Sequence, residues 1–546
     1  MSATLIAREL TKSFGPHLVL DRVSLTVAPG MRIGVVAPNG TGKTTLLQLL
    51  AGIDRPDSGV VERLPASATI GLLLQEPERR DETLHRFLER RTGVRAADVE
   101  LDLASVAIAE GQEGAEDRYT NALDRFLALG GPDLDARVGT ALADVGLDQR
   151  LGSVAMTSLS GGQIAKAALA ALLLSRFDVF LLDEPTNDLD FVGIERLERF
   201  VIELDAPTIV VSHDRSFLDR VVTSVFELDE HSRQGRLFNG GWSAFLEERT
   251  VARQHAEERY ADFVDQRDTL KARSQRESEW SHQGIKKTKQ SGERDKHIRQ
   301  FNRASSERLA AKAKRTERAM ERLETVDKPW EGWELRLEFT EAPRGGSVVA
   351  SLRAAVVELG DFVLGPIDLE IGYGERVAVV GPNGSGKSTV LRALLGEADL
   401  ASGARHVGPG VVLGVLDQRR TTFDEASTLL DAFVAATGLI ITDARSLLAK
   451  FGLGAEHVAR TTSTLSPGER TRAELARFVA AGVNCLVLDE PTNHLDLPAI
   501  EQLEAALASF SGTVLLVTHD RTLLDSVHLT RRIEIADGRI GSDRPV

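Results

Sequence analysis

The chain has 546 residues, 42% of them hydrophobic and 27% charged, with a formal net charge of −15. That length exceeds a single hydrophobic core and predicts two or more domains, and the composition excludes a disordered or fibrous chain. No apolar run approaches the ~18 residues of a membrane-spanning helix, and the start MSATLIARELTKSF lacks the apolar core of a signal peptide, so a cytoplasmic protein is expected.

In chain order, the strand-like run RIGVV leads into APNGTGKTT (Ala37 to Thr45), and IGLLLQ ends in Gln75. LSGGQ (Leu159 to Gln163) precedes the apolar run VFLLDE, which opens LLDEPTNDLD (Leu181 to Asp190); TIVV then runs into SHDRSFLD (Ser212 to Asp219). A stretch poor in glycine and proline follows, and then the series returns as GPNGSGKST (Gly381 to Thr389), LGVLDQ ending in Gln418, LSPGE (Leu465 to Glu469), VLDEPTNHLD (Val487 to Asp496) and THDRTLLD (Thr518 to Asp525). The register is kept: 183 − 160 and 489 − 466 both give 23 residues, and 213 − 183 and 519 − 489 both give 30. Gln75 to Ser160 is 85 residues but Gln418 to Ser466 is 48, so the first half carries 85 − 48 = 37 extra residues, placed near 92–137. The repeat predicts a domain over 1–241, a linker over 242–332 and a second domain over 333–546. Short β-branched runs alternating with helical stretches predict an α/β fold with a largely parallel sheet in each domain. The only cysteine, Cys485, lies in the apolar run NCLVLDE and is expected as a buried thiol.

GxxxxGK[ST] between a strand and a helix is a phosphate-binding loop. Its glycines (Gly40 and Gly42; Gly384 and Gly386) let successive N–H groups, with those of Asn39, Thr45, Asn383 and Thr389, turn toward one anion. Lys43 and Lys387 are expected to neutralise β and γ phosphates, and the hydroxyls of Thr44 and Ser388 to meet Mg²⁺. Asp183 and Asp489 end apolar strands and are expected near the metal. Glu184 and Glu490 follow them and are expected to polarise the attacking water. Gln75 and Gln418 are candidates for sensing metal and water, and His213 and His519 for contacting the γ-phosphate.

Five motifs in fixed order, present twice, resemble the ATP-binding cassette superfamily, in which the signature of one domain completes the nucleotide site of the other. The resemblance implies ATP and Mg²⁺ as ligands, two cassettes of P-loop fold, and ATP hydrolysis. It implies one site joining Lys43, Thr44, Gln75, Asp183, Glu184 and His213 to Ser466, Gly468 and Glu469. The other joins Lys387, Ser388, Gln418, Asp489, Glu490 and His519 to Ser160, Gly162 and Gln163. Pro467 departs from LSGGQ and removes a backbone N–H. An aromatic near the start of such a domain stacks on adenine; Phe14 in TKSFG fits, whereas the second half aligns Leu359 there.

The linker is rich in Glu, Lys, Arg, Ala and Gln, which predicts two long helices (about 243–281 and 296–325) in an antiparallel hairpin arm roughly 60 Å long. From Arg267 to Arg322 it holds 17 Lys and Arg against 8 Asp and Glu, net +9, which leaves −15 − 9 = −24 on the remainder. A projecting basic segment on an acidic protein suits a polyanion. DEPTNDLD and DEPTNHLD resemble the F subfamily, twin-cassette proteins that act on ribosomes. The linker resembles that of antibiotic-resistance, ribosome-protection factors of the macrolide and lincosamide type, which implies contact with ribosomal RNA and peptidyl-site transfer RNA by a monomer. A housekeeping translation factor, a transport ATPase with a separate membrane partner and a DNA-repair ATPase are the alternatives.

Overall fold

The computed structural model describes residues 3–73, 80–230, 232–290, 308, 311–312, 314–316, 318, 346–360, 362–416, 423, 426–493 and 495–546. It divides into two compact units, one of Met1–Ser243 with Leu335–Val546, the other of Ala244–Glu334.

The first cassette begins with β1 (Thr4–Phe14), β2 (His17–Val27) and β3 (Arg32–Val36), followed by α1 (Lys43–Ala51), β4 (Ser58–Leu64) and β5 (Ile70–Leu73). Next come α2 (Leu84–Arg91), α3 (Val94–Ala109), α4 (Ala115–Ala128), α5 (Leu134–Asp144) and α6 (Gly161–Leu174). It closes with β6 (Val179–Asp183), α7 (Phe191–Glu203), β7 (Thr208–Val211), α8 (Arg215–Val221), β8 (Ser224–Leu228) and β9 (Gly235–Asn239). The helix α9 (Trp242–Gln290) follows. The second cassette repeats the plan with β10 (Val348–Leu359), β11 (Phe362–Gly372), β12 (Arg376–Val380), α10 (Lys387–Leu395), β13 (Ser402–Val407) and β14 (Leu413–Leu416). Then come α11 (Leu429–Thr437), α12 (Ile441–Lys450), α13 (Ala455–Val458), α14 (Pro467–Ala480), β15 (Cys485–Asp489), α15 (Leu497–Ser509), β16 (Thr513–Val517), α16 (Arg521–Ser526), β17 (Arg531–Ala536) and β18 (Arg539–Pro545).

Each cassette has a six-stranded sheet, β5-β6-β7-β3-β8-β9 and β14-β15-β16-β12-β17-β18, parallel except for its last strand, and a three-stranded antiparallel sheet, β2-β1-β4 and β11-β10-β13. The central strands are buried on both faces, as parallel strands under two layers require. Along β6, Val179 and Leu181 enter the core beneath the small sheet while Phe180 and Leu182 enter the helical core, the period of two of a pleated strand. Cys485 and Val487 alternate with Leu486 and Leu488 in the same way along β15. Relative to the second cassette, the first has the additional helices α3 and α4, which pack on each other.

The linker helix differs from the expectation. α9 is one helix of 49 residues, running nine residues past 281 to Gln290. QGIKKTKQ carries one glycine and no proline, so nothing in it forces a stop. At 1.5 Å per residue the helix is about 74 Å long. The second arm helix and the hairpin turn fall almost wholly outside the described residues. Among the described residues, no single helix is long and apolar enough to cross a membrane.

Candidate functional site

Each phosphate-binding loop leaves the end of a central strand and turns into a helix. Gly40 and Gly42 have φ of 80° and 102°, Gly384 and Gly386 of 80° and 105°, conformations that suit glycine. Ala37 and Gly381 are not equivalent in backbone. Gly381 has φ 154°, and a Cβ there would lie 2.1 Å from the Ile535 carbonyl oxygen, whereas Ala37 keeps a negative φ. Lys43 Nζ donates to the Ala37 carbonyl (2.9 Å) and Asn39 Oδ1 (3.2 Å), and Lys387 Nζ donates to the carbonyls of Gly381 (2.9 Å) and Pro382 (3.0 Å). Thr44 Oγ1 donates to Asp183 Oδ2 at 2.7 Å, which joins the loop to the end of β6.

Glu184 and Glu490 follow their strands with φ of 49° and 47°, an unusual backbone for a non-glycine residue and a common mark of a functional position. Their amides donate to the carbonyls of Val211 and Val517, both at 2.8 Å, and this turns the side chains into the site. His213 N donates to Glu184 Oε2 (3.3 Å), and His213 Nε2 lies 3.2 Å from Glu184 Oε1 without the alignment of a hydrogen bond, so that Oε1 is buried without a donor. In the second site His519 N donates to Glu490 Oε2 and His519 Nε2 lies near Glu490 Oε1, both at 3.4 Å. Burial pushes the Glu184 and Glu490 carboxyls up to about 8, and it holds His213 well below its ordinary value and His519 down to about 3. Both imidazoles are therefore neutral at pH 7, and burial makes both carboxyls more basic than an ordinary glutamate. Burial also lowers Lys43 and Lys387, with Glu184 and Glu490 the chief opposing charges.

The two cassettes meet head to tail. A cavity of about 960 Å³ is lined by Asn383, Gly384, Gly386, Lys387, Ser388, Thr389, Asp489, Glu490 and His519 from the second cassette and by Ser160, Gly162 and Gln163 from the first. A second cavity, of about 510 Å³, brings together Phe14, Asn39, Gly40, Gly42, Lys43, Thr44, Thr45, Asp183, Glu184 and His213; on its far wall stands Pro467. Ser160 and Ser466 each cap the helix they begin, in capping boxes with Gln163 and Glu469. Glu469 is further paired with Arg460 (3.0 Å) and His457 (3.3 Å), so its carboxylate is occupied within its own cassette. Pro467 occupies the first position of α14, where no intrahelical acceptor exists for an N–H, and its loss costs the helix nothing. Gln75 and Gln418 lie outside the described residues.

Two further sets of residues at these sites lie outside those to which the sequence motifs assign a role. Asp190 and Asp496 cap α7 and α15 with one carboxylate oxygen and use the other to accept the backbone N–H of Asn383 and Asn39 in the opposite loop, both at 3.0 Å. Phe362 lines the larger cavity, with its ring 3.0 Å from where a Cβ on Gly386 would lie. It faces Leu359 across the tight turn between β10 and β11, and Leu359 itself is 46% exposed. The register of that turn was the signal that would have pointed to it.

Residues 20–187 and 364–493 match the ABC transporter family. The chain is 34% identical to the tylosin resistance ATP-binding protein TlrC of Streptomyces fradiae, over 98% of this chain and 99% of that one. It is 31% identical to ABC transporter F family member 2 of Arabidopsis thaliana, over 97% of this chain and 76% of that one. The chain belongs to the F subfamily of ATP-binding cassette proteins. This ABC-F chain is also 30% identical to the energy-dependent translational throttle protein EttA of Escherichia coli K12, over 93% of this chain and 88% of that one. Among solved structures, archaeal ribosome recycling factor aABCE1 in complex with ribosomal stalk protein aP1 shares the fold, with a TM-score of 0.58 and 19% identity over 98% of this chain and 90% of that one. As an ABC-F protein the chain is an ABC-type ATPase that binds nucleotide.

Proposed function

We propose that this ABC-F ATPase is a cytoplasmic, monomeric ribosome-binding factor that protects the ribosome from drugs of the macrolide and lincosamide type, acting through its arm on peptidyl-site transfer RNA and ribosomal RNA. The observation that carries the reading is the pairing of both cassettes on one chain around two nucleotide-sized cavities, joined by a 49-residue helix that enters a segment of net +9. Tylosin resistance in the name of a relative matched over nearly its full length supports the drug class. The name of EttA supports a second reading, a translation factor with no drug involved.

The chemistry follows from the side chains. Loop N–H groups and Lys43 or Lys387 bind the β and γ phosphates, the lysines exchanging loop carbonyls for phosphate oxygens. Thr44 with Asp183, and Ser388 with Asp489, form oxygen-donor sets that fit Mg²⁺, and the 2.7 Å contact between Thr44 and Asp183 supports that reading for the first set. Bound there, Mg²⁺ offsets the phosphate charge. Glu184 and Glu490, once ionised, accept the proton of the attacking water, and the burial that raises their carboxyls makes each a stronger base than an exposed glutamate. Neutral His213 and His519 donate to the γ-phosphate. The α6 N-terminus at Ser160 and Gly162 presents N–H groups across the larger site, so hydrolysis there requires closed cassettes.

In a translation reaction inhibited by a macrolide or lincosamide, the purified protein with ATP is expected to restore synthesis, and the Glu184→Gln, Glu490→Gln variant is not. Ribosome binding without rescue across these drugs would leave the translation-factor reading.

A further inference from the structure

All four polar side chains of α8 (Arg215–Val221) leave the helix for a partner. Arg215 pairs with Glu504 of the second cassette, and Ser216 Oγ lies 3.4 Å from Thr522 Oγ1, again across the cassette boundary. Arg220 donates to Glu198 at 3.0 Å, and the other oxygen of that carboxylate accepts from Arg521 of the second cassette at 2.9 Å. Asp219 Oδ1 accepts both the backbone N–H (3.1 Å) and the hydroxyl of Ser243, in the first turn of α9. At its other end α8 is capped by Asp214, which accepts from Phe217 N at 2.9 Å and follows directly on His213. Phe217, Leu218 and Val221 are buried in the core, so the helix moves as one body with it.

The second cassette has this device only in part. α16 (Arg521–Ser526) is capped by Asp520 and crosses the boundary with Arg521 and Thr522. Asp525, which matches Asp219 in the repeat, is exposed and makes no such bond among the described residues.

We propose that α8 relays the nucleotide state of the first site to the root of the arm helix, with Asp219 as the positioning residue, and that the second site acts on the root only through the pairing of the cassettes. The relay is physical at each step. A γ-phosphate donor at His213 and the closure contacts of Arg215 and Ser216 share one short rigid helix, and the same helix supplies a carboxylate to the N-terminus of α9. First-turn N–H groups have no intrahelical acceptor, and an anion placed there satisfies one of them and is favoured by the helix dipole. A shift of α8 therefore tightens or frays the first turn of a 49-residue helix. The relay rests on the nucleotide-site role proposed above for His213 and is independent of what the arm touches.

The test is hydrogen exchange of backbone amides 242–252 in the full chain carrying Glu184→Gln and Glu490→Gln, with and without Mg-ATP. ATP is expected to slow exchange about tenfold, the factor that gain of one helix cap worth about 1.4 kcal/mol produces. Adding Asp219→Ala is expected to abolish that difference while binding of a fluorescent ATP analogue stays within about twofold of the parent. Asp219→Asn, which keeps an acceptor, is expected to retain most of the difference, and Asp525→Ala all of it. Should Asp219→Ala fail to fold, Ser243→Ala removes the hydroxyl partner alone and is expected to reduce the response. An absent ATP response in the parent, a response that survives Asp219→Ala or Ser243→Ala undiminished, or equal losses from Asp219→Ala and Asp525→Ala would each overturn the relay.

Discussion

Glu198 is shared between the cassettes, so removing one of its partners and removing Glu198 itself predict unequal losses. Its carboxylate is 8% exposed and accepts from Arg220 of its own cassette and from Arg521 of the other, whose side chain is 20% exposed and also reaches Glu195 at 3.2 Å. In Arg521→Ala, Glu198 keeps Arg220, so the loss is the charged hydrogen bond to Glu198 with a smaller share from the exposed contact to Glu195, about 1.5 kcal/mol in all after allowance for partial exposure. In Glu198→Ala two guanidinium groups face each other without that carboxylate, and the cost rises to about 3 kcal/mol. Only the paired cassettes contain the Arg521 contact. A loss of about 1.5 kcal/mol therefore lowers the closed population, and with it ATPase activity at sub-saturating ATP, roughly tenfold. The assay is steady-state ATPase activity for both single variants and the double variant, with a coupling energy of about 1–2 kcal/mol expected. Equal losses that simply add, with coupling under about 0.5 kcal/mol, would refute the shared-carboxylate argument.

Glu184→Gln together with Glu490→Gln is expected to preserve ATP binding and reduce turnover at least about a hundredfold, measured as phosphate release, because the amide keeps the shape and loses the proton acceptor. Phe362→Ala is expected to weaken nucleotide binding at the larger site about tenfold by titration with a fluorescent ATP analogue, and Leu359→Ala to leave it unchanged, since only the former lines that cavity. Burial pushes the Asp214 carboxyl up to about 6, so its contribution to stability is full below the ordinary value of 3.8 and is lost as pH rises through 6. Asp214→Asn, which keeps the helix cap, is accordingly expected to raise Tm at pH 8, by on the order of 2 kcal/mol in stability, with the gain vanishing toward pH 4. Burial also pushes the Cys485 thiol up to about 12, so alkylation is expected only after unfolding, read by mass spectrometry in native and denaturing buffer.

What the sequence made legible was what local backbone chemistry encodes. A loop that needs Gly40, Gly42 and Lys43, and an acid pair ending an apolar strand, leave marks a few residues long, and repetition in register identified them. Contacts made across the fold left no such mark. Asp190 reads as an ordinary helix cap before α7, yet its second oxygen holds an N–H 193 residues away. Phe362 was hidden by alignment along one strand, because its position follows from pairing with the next. The sequence of α9 carries weak periodicity and no stop signal, so only propensity marks its end, and the helix runs on to Gln290.

The paired carboxylates of Asp190 and Asp496 have a consequence for how the protein behaves on dilution. A lone cassette would leave one oxygen of its aspartate and one loop N–H unmatched, and two lone cassettes would find each other at a rate set by their concentration. Here both partners lie on one chain, so their encounter is intramolecular and its effective concentration is set by the connection between them and not by the amount of protein. Activity per molecule should therefore stay constant down to nanomolar protein, and a cell holding a few copies has as large a paired fraction as one holding thousands.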